Sequence, residues 1–200
     1  MINRKYNLRY INTSKQVIND SLWEFERVSV IRLDLHYPKH YQFDDLNVND
    51  IRRFFKSLKS KVDAELVRRK RRGVSYSPER LRYIWCKEIN DSVNPHYHVM
   101  IFLNKDNFRS VGQVEYKNNL SDIKPIFDMI CESWGGVLSI SPYDAVTSIY
   151  IPDRAVYVMK RNNEESIDNV LNRAKYLCKY STKENINGRA FGSSQKIRYK

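Results

Sequence analysis

Three stretches of the chain have the residue pattern of β-strands, and apolar and polar residues alternate in the first of them. In residues 28–37 (VSVIRLDLHY), isoleucine and leucine fall on one face and charged residues fall on the other. Residues 80–89 and 96–103 are likewise rich in strand-forming side chains, and the turn-forming sequence NDSVNP separates them. The pattern predicts one strand and, further along the chain, a β-hairpin.

Three other stretches carry apolar residues at spacings of three and four, which is typical of amphipathic helices. They cover residues 49–71, 121–134 and 164–184. Ser121 is expected to cap the start of the second helix, and Gly135-Gly136 is expected to end it. These stretches predict three helices.

Short strands are expected at residues 137–141 and 154–160, so the elements follow the order strand, helix, hairpin, helix, strands, helix. This order lacks the repeating βα pattern of a parallel sheet and predicts an α+β fold with a central antiparallel sheet and packed helices. We find no internal repeat and no low-complexity linker. We therefore expect a single domain over residues 1–200, with a basic lead-in over 1–26 and a basic tail over 185–200.

The net charge indicates the class of partner. The chain has 35 lysine and arginine residues against 23 aspartate and glutamate residues, which gives +12. Such an excess favours a polyanion, although it does not distinguish DNA from RNA. A run at the end of the first predicted helix is expected to bind the phosphate backbone, unless it is only a solvated helix end. The run consists of Arg68, Arg69, Lys70, Arg71 and Arg72.

Neither the cysteines nor the apolar segments are typical of a secreted or membrane protein. Cys86, Cys131 and Cys178 are odd in number and far apart, which argues against a disulfide framework and a cysteine-based zinc site. No apolar run reaches the length that spans a bilayer, and the basic N-terminus lacks the apolar segment of a signal peptide. We therefore expect a soluble, cytoplasmic protein with no membrane partner.

Two histidines, His96 and His98, flank Tyr97 in the second strand of the predicted hairpin. Residues two apart on a strand point to the same face, so the two imidazoles would lie side by side. Glu88, near the end of the partner strand, would lie roughly opposite His96. Two imidazoles and a carboxylate can hold a divalent ion with open positions. The alternative is a pair of strand histidines beside a surface glutamate.

The last predicted helix carries a doubled Tyr-x-x-Lys sequence over residues 176–183. Tyr176 and Tyr180 are four residues apart, which places them on one face of a helix, and Lys179 and Lys183 each follow a tyrosine by three residues. A tyrosine hydroxyl can attack phosphorus once its proton is removed, and a lysine can stabilise charge on the phosphoryl group. The alternative is a surface helix in a chain that has 14 tyrosines.

Taken together, the His-Tyr-His sequence and the doubled Tyr-x-x-Lys sequence resemble the motifs of the HUH endonucleases, which include the initiators of rolling-circle replication. The resemblance is strongest to two-tyrosine initiators of the filamentous-phage gene II type, including the YagK/YfjJ-like proteins of integrated elements. It runs from about Val28 to Gly192. The strand Val30–His36 is similar to the first family motif, and residues 189–192 (RAFG) are similar to a tail element.

The resemblance implies a five-stranded antiparallel sheet related to the RNA-recognition, or ferredoxin-like, fold, with the tyrosine helix over the histidines. It implies that Mg²⁺ or Mn²⁺, held by His96, His98 and, by position, Glu88, polarises a phosphate of single-stranded or extruded origin DNA. Asp34 and His36 share this face by strand parity and compete with Glu88 as the third ligand.

The resemblance also implies a reaction. Tyr176 would attack the phosphate to leave a 5′-phosphotyrosine and a free 3′-OH, and Tyr180 would act after one round, although the order of the two tyrosines is open. The expected function is metal-dependent nicking and joining of DNA that initiates rolling-circle replication of a phage or mobile element. A host polymerase would extend the free end, and a separate helicase would unwind the DNA, because the chain carries no helicase motif.

Three other functions remain open at this stage. The nickase could act on the genome of a competing phage instead of its own element. The chain could be a non-catalytic module that binds single-stranded nucleic acid by aromatic stacking, as RNA-recognition domains do. It could also be a metal-dependent nuclease that uses water and leaves no covalent adduct.

Overall fold

The computed structural model describes residues 6–39, 41, 49–89, 94–116, 124–179 and 189–197. Within these ranges a central antiparallel sheet carries helices on both faces, so the fold class is α+β. The elements, in chain order, are α1 (Leu8–Glu24), β1 (Arg27–His36), α2 (Asp50–Arg71), β2 (Arg82–Glu88), β3 (His96–Asn104), α3 (Ile126–Leu138), α4 (Pro142–Ala145), a 3₁₀ helix (Val146–Ser148), β4 (Ile149–Tyr150), β5 (Val156–Lys160), α5 (Glu164–Tyr176) and β6 (Phe191–Ser193).

The sheet has the strand order β4-β1-β3-β2-β6, and β5 also pairs with β1. β5 lies along the first half of β1, whereas β4 pairs with two residues near its end. Every pair is antiparallel. The predicted α+β class and antiparallel sheet are confirmed, and the described part of the chain contributes six strands rather than five. β1, α2, β2, β3 and β5 lie within two residues of their predicted positions.

The strand register divides the side chains of β1, β2 and β3 between two faces by residue parity. β1 pairs with β3 from Val28 opposite Asn104 to His36 opposite His96. β2 pairs with the other edge of β3, where Glu88 lies opposite His96. Because side chains alternate along a strand, the even-numbered residues of the three strands share one face, the histidine face. The odd-numbered residues share the opposite face, the odd face.

A different pair of helices covers each face. α2 and α3 pack on the odd face, where Leu33, Val99 and Trp134 belong to a continuous apolar cluster. α1 and α5 pack on the histidine face, where Ile18 and Met100 belong to a second cluster. Burial of each large apolar side chain contributes about 1.5–3 kcal/mol, so the two clusters hold the three layers together.

A helix occupies the segment that is predicted to be a basic lead-in. α1 follows Asn7, whose side-chain Oδ1 accepts hydrogen bonds from two backbone N–H groups of the first turn. Its apolar residues Val17, Ile18 and Leu22 are buried against the sheet. The expected lead-in over residues 1–26 is therefore wrong.

α3 does not end where the sequence predicts. Ser121, the predicted cap, lies outside the described residues, and Pro125 occupies the cap position of the observed helix. The helix continues through the two glycines that were expected to end it. A Cβ on Gly135 would come within 3.0 Å of the carbonyl oxygen of Ile140, so glycine here permits a close approach of backbone. The strand expected at residues 137–141 is consequently wrong.

Two predictions for the C-terminal region also need correction. The helix predicted over residues 164–184 is α5, which ends at Tyr176, and Lys179 instead forms a β-bridge with Tyr6. Residues 180–188 lie outside the described residues. The tail expected from residue 185 contains β6, which extends the sheet beside β2.

None of the helices in the described ranges is both long enough and apolar enough to cross a bilayer. The longest, α2, has 22 residues, and four basic residues lie in its last turn.

Candidate metal centre and tyrosine site

β2 and β3 bring the three predicted ligands together on the histidine face. Glu88 lies opposite His96 across the strand pair, and His98 follows two residues later on β3. One ligand atom of each residue lies within 4.8 Å of the others, and all three residues are buried. These three residues could therefore hold a metal ion.

Two of the three distances between donor atoms match those of neighbouring ligands on one ion. His98 Nε2 lies 3.2 Å from His96 Nε2 and 3.1 Å from Glu88 Oε2. Ligand atoms bonded at right angles to one ion at about 2.1 Å are about 3 Å apart. Two imidazoles and one carboxylate also leave coordination positions for water and a substrate oxygen. The chemistry of the donor set thus fits a divalent metal ion.

Asp34 orients His98 and is not a member of the ligand cluster. It lies opposite His98 across the β1–β3 pair, with Oδ1 2.6 Å from Nδ1 of the imidazole. A carboxylate at this position favours a proton on Nδ1 and leaves the Nε2 lone pair facing Glu88 and His96, a tautomer inferred from the hydrogen-bond network. The prediction that Asp34 competes with Glu88 as third ligand is therefore wrong.

His36 also lies outside the ligand cluster, so its predicted competition with Glu88 is wrong as well. Its ring stacks on that of His96, with 5.0 Å between the ring centroids and 9° between the planes. The contact fixes the orientation of the His96 imidazole from one side. Burial lowers the pKa of His36, which favours the uncharged form of the stacked ring.

The two ligand imidazoles differ in their affinity for a proton. Burial, with smaller contributions from His98 and His36, lowers the pKa of His96 to about 4. Burial opposes the charged form of His98 too, but the hydrogen bonds with Asp34 and Glu88 raise its pKa above the usual value. His96 therefore presents a lone pair at neutral pH, whereas a metal ion at His98 competes with a proton.

α5 is held over the sheet so that its C-terminal end reaches the histidines. Asn163 caps its start by accepting a hydrogen bond from the backbone N–H of Ser166. Val170 and Ala174 are fully buried in the apolar cluster of the histidine face. Met100 belongs to the same cluster, and His98 is the next residue of β3 on that face.

Tyr176, the last residue of α5, lies beside the candidate ligands. Its side chain is exposed, and its ring centroid is 6.4 Å from that of His98, with the rings nearly perpendicular. Lys179 Nζ lies 4.0 Å from the centre of the tyrosine ring, and Arg173 Cζ lies 5.6 Å from it. The structure thus brings Tyr176 and Lys179 to the site, while Tyr180 and Lys183 lie outside the described residues.

The basic run at residues 68–72 lies far from these ligands. Arg69 donates a hydrogen bond to the carbonyl of Asn107, just beyond the end of β3, whereas His96 begins that strand. A strand of this length spans roughly 27 Å at about 3.4 Å per residue. Arg69 is only 2% exposed and pairs with Glu65 at 2.9 Å, so its prediction as a DNA-binding residue is wrong. Arg68 pairs with the same carboxylate, and Lys70, Arg71 and Arg72 are exposed.

Arg32 is a charged residue of the site that the sequence analysis did not single out. It is 7% exposed on the histidine face, with Nη2 3.4 Å from Asp34 Oδ2. Within the described residues its buried Nε has no hydrogen-bond partner. Strand parity predicts its face, but only the register between β1 and β3 shows that it lies near His98.

Comparison with known proteins places the chain in a family. A family model described as the YagK/YfjJ C-terminal domain matches residues 2–194. The uncharacterized protein YagK of Escherichia coli strain K12 is 30% identical over 182 residues, which cover 86% of this chain and 85% of YagK. The uncharacterized protein YfjJ of the same strain is 28% identical over 199 residues, which cover 93% of each chain. No solved structure matches the chain. Because the family model spans nearly all of its residues, the chain belongs to the YagK/YfjJ C-terminal domain family.

Proposed function

We propose that the chain nicks and rejoins single-stranded DNA through a 5′-phosphotyrosine on Tyr176. The observation that carries the proposal is the position of an exposed tyrosine, at the end of α5, 6.4 Å ring to ring from a histidine of the candidate metal centre. A metal-ligand set and a nucleophile on one sheet face, in a chain of net charge +12, are the parts that DNA transesterification needs.

Glu88, His96 and His98 would hold Mn²⁺ or Mg²⁺. When bound, the ion polarises the scissile phosphate and offsets the charge that develops on it. Imidazole ligands suit transition metals better than they suit Mg²⁺, which prefers oxygen donors. Mn²⁺ is therefore the ion of choice for experiments.

The residues around Tyr176 have defined roles in this proposal. The Tyr176 hydroxyl gives its proton to solvent and its oxygen attacks phosphorus, and the P–O3′ bond breaks. The 3′ oxygen takes a proton from solvent and leaves as a free 3′-OH, while the 5′-phosphate stays on the tyrosine. Lys179 and Arg173, which flank the ring, bind the non-bridging phosphate oxygens. Attack of a 3′-OH on the phosphotyrosine reverses the reaction and joins the strands without ATP.

The biological context follows from the same proposal. Tyr180 and Lys183 would serve a second cleavage, and Lys70, Arg71 and Arg72 would bind the DNA backbone. The sheet would be of the RNA-recognition, or ferredoxin-like, type. The nick would initiate rolling-circle replication of a phage or mobile element in the cytoplasm, with a separate helicase and a host polymerase. A nick in a competing phage genome uses the same chemistry.

The test is covalent capture of DNA. The protein is incubated with fluorescent single-stranded oligonucleotides that carry candidate origin sequences, in Mn²⁺ or in EDTA, and resolved on a denaturing gel. We expect an adduct in Mn²⁺ alone, and peptide mass spectrometry should place it on Tyr176. Tyr176→Phe should remove at least nine-tenths of the initial adduct. Tyr150→Phe is the matched control, because Tyr150 is 55% exposed and lies opposite Asp34 on the same face.

Two other results would replace the proposal with its alternatives. Cleavage in Mn²⁺ without any adduct identifies a nuclease that uses water. Binding that survives EDTA, with no cut strand for any origin-like sequence, identifies a binding module. The double variant His96→Ala/His98→Ala separates the steps, because it should abolish cleavage while retaining most of the salt-dependent DNA binding.

A further inference from the structure

A cavity of about 270 Å³ opens on the odd face of the sheet, between the start of α2 and the edge formed by β2 and β6. Its lining includes Phe55 from α2, together with Tyr83, Trp85 and Lys87 from β2. Small-molecule pockets usually measure about 300–1,000 Å³, so this odd-face cavity has room for one nucleotide but not for several.

Aromatic side chains form one wall of the odd-face cavity. The rings of Tyr83 and Phe55 stack, with centroids 3.5 Å apart and planes 7° from parallel. Trp85 lies against the edge strand, where a Cβ on Gly192 would come 2.6 Å from the indole ring. Glycine at this position therefore allows the indole to lie flat over β6. The wall is a surface against which a planar base can pack.

Three cations line the same cavity. They come from distant parts of the sequence and are Arg52, Lys87 and Arg189. In the part of the chain that the structure describes, none of the three forms an ion pair; Lys87 is half-buried, and Arg52 and Arg189 are exposed. Asp50 acts electrostatically on Lys87, but its carboxylate already accepts a hydrogen bond from Tyr37 and pairs with Arg53.

We propose that the odd-face cavity binds one nucleotide, with its base against the aromatic wall and its phosphate among the three cations. Stacking on aromatic side chains combined with basic groups is how proteins hold single-stranded nucleic acid without reading its sequence. That the nucleotide belongs to a DNA strand rests on the proposed function. A free mononucleotide offers the same chemistry, and the experiment distinguishes the two sources.

The position of the odd-face cavity connects it to the candidate metal centre. Lys87 and Glu88 are consecutive residues of β2, so their side chains point to opposite faces at the same end of the sheet. One of them lines the cavity and the other is a candidate metal ligand. A DNA strand that passes around this end of the sheet would contact both sites. The cavity would then hold the DNA on one face while the candidate metal centre cleaves it on the other.

The first measurement is the affinity of the full chain for a fluorescent oligothymidine 20-mer, followed by anisotropy in EDTA at several salt concentrations. The variant Arg52→Gln/Lys87→Gln/Arg189→Gln is compared with Lys15→Gln/Lys105→Gln/Lys160→Gln, which removes the same charge elsewhere. At about 0.7 released counterions per phosphate contact, the cavity variant should lower the salt slope by about two and weaken binding at least ten-fold. The control should weaken binding less than three-fold.

The second measurement is quenching of tryptophan fluorescence by thymidine monophosphate, with inorganic phosphate as the comparison. Trp85→Phe should remove the quenching, and Trp23→Phe, which changes an exposed tryptophan, should retain it. If quenching depends on Trp85 but the cavity variant binds the 20-mer as the control does, the ligand is a free nucleotide. That result would overturn the proposal that the nucleotide belongs to a DNA strand. Equal effects of phosphate and the mononucleotide would overturn the base contact.

The proposal fails if the cavity variant binds the 20-mer as the control does and the mononucleotide quenches nothing. These measurements need neither metal nor cleavage, so they are independent of the adduct assay. A covalent adduct, together with an unaffected cavity variant and no quenching by the mononucleotide, would retain the proposed nickase and reject the nucleotide site in the cavity. Weaker 20-mer binding by the cavity variant, without any covalent adduct, would retain the nucleotide site and reject the nickase.

Discussion

Asp34 provides a sharp test of whether the histidine cluster is a metal centre. Its Oδ1 lies 2.6 Å from Nδ1 of His98, while Nε2 of the same ring faces His96 and Glu88. If His98 binds an ion, Asp34 fixes the tautomer and increases the basicity of the ligand. Substitutions at Asp34 should therefore weaken metal binding, although Asp34 is not itself a ligand.

The expected size of the effect depends on what each substitution removes. Loss of a partner of this kind typically lowers metal affinity ten- to a hundred-fold, or about 1.4–2.7 kcal/mol. Asp34→Asn retains an acceptor for the Nδ1 proton but removes the charge, so we expect a loss near ten-fold. Asp34→Ala removes both the acceptor and the charge, so we expect a loss near a hundred-fold.

The assay is titration of the metal-free protein with Mn²⁺, followed by the electron paramagnetic resonance signal of the free ion. Both Asp34 substitutions also remove the ion pair between Arg32 and Asp34, in which Nη2 and Oδ2 are 3.4 Å apart. Arg32→Gln is the control, because it removes this ion pair and leaves the contact between Asp34 and His98 intact. Asp106→Asn is the control for charge, because Asp106 is an exposed residue paired with Arg27. Thermal unfolding checks that each variant is folded.

Mn²⁺ affinity within two-fold of the unchanged protein in both Asp34 variants would contradict the proposed role of Asp34. A loss in Arg32→Gln as large as that in Asp34→Ala would also refute it, because the effect would then come from the ion pair. A graded loss, larger for alanine than for asparagine and absent in Asp106→Asn, is the result that the geometry predicts.

Two further predictions concern stability. Mn²⁺ at a hundred times its dissociation constant should stabilise the fold by about 2.7 kcal/mol and raise the melting temperature by roughly 5–10 °C; EDTA or His96→Ala should remove the shift, and a shift that persists in the variant contradicts the site. Burial raises the pKa of Glu79 to about 7. A carboxylic acid whose pKa is higher in the folded state than in the unfolded state destabilises the fold as pH rises from the unfolded pKa, about 4.5, to the folded pKa. The free energy of unfolding should therefore fall by about 3 kcal/mol over this interval relative to Glu79→Gln. Chemical denaturation of both proteins at pH 4 and pH 8 measures this difference, and a free energy of unfolding that changes equally in both proteins contradicts the burial of the Glu79 carboxylate.

The candidate ligands were predictable because short-range rules determine them. A period of two places His96 and His98 on one face, and a short hairpin connection places Glu88 beside them. Tyr97, between the histidines, falls on the odd face and is 2% exposed, as the same alternation requires. The role of Asp34 depends on which residues of β1 pair with β3, and the 59-residue separation between the two strands leaves that register unspecified by local pattern.

The errors come from residues whose role depends on contacts made elsewhere in the chain. Gly135 has the sequence signature of a helix end, but the carbonyl of Ile140 occupies the space that a side chain would need. Gly192 lies in a polar, basic tail, yet the Trp85 indole across the sheet requires a glycine there. In both cases the local sequence shows only a glycine. The neighbouring residue in the fold determines whether that glycine ends a secondary-structure element or allows another group to approach the backbone closely.

The positions of the basic residues likewise depend on the fold and not on the local sequence, and this difference affects the proposed function. The densest basic run, residues 68–72, indicates a phosphate-binding surface by composition, but Arg69 is buried and the run lies roughly a full strand length from the histidines. Arg52, Lys87 and Arg189 show no such clustering in sequence, yet they meet in one cavity at the same end of β2 as Glu88. Because the attraction between a cation and a phosphate is screened over about 10 Å at moderate salt, a cation would act on a DNA strand at the candidate metal centre only from nearby. The dispersed cations are therefore better placed than the basic run to hold a strand at this end of the sheet, and the salt slope of each variant tests that difference directly.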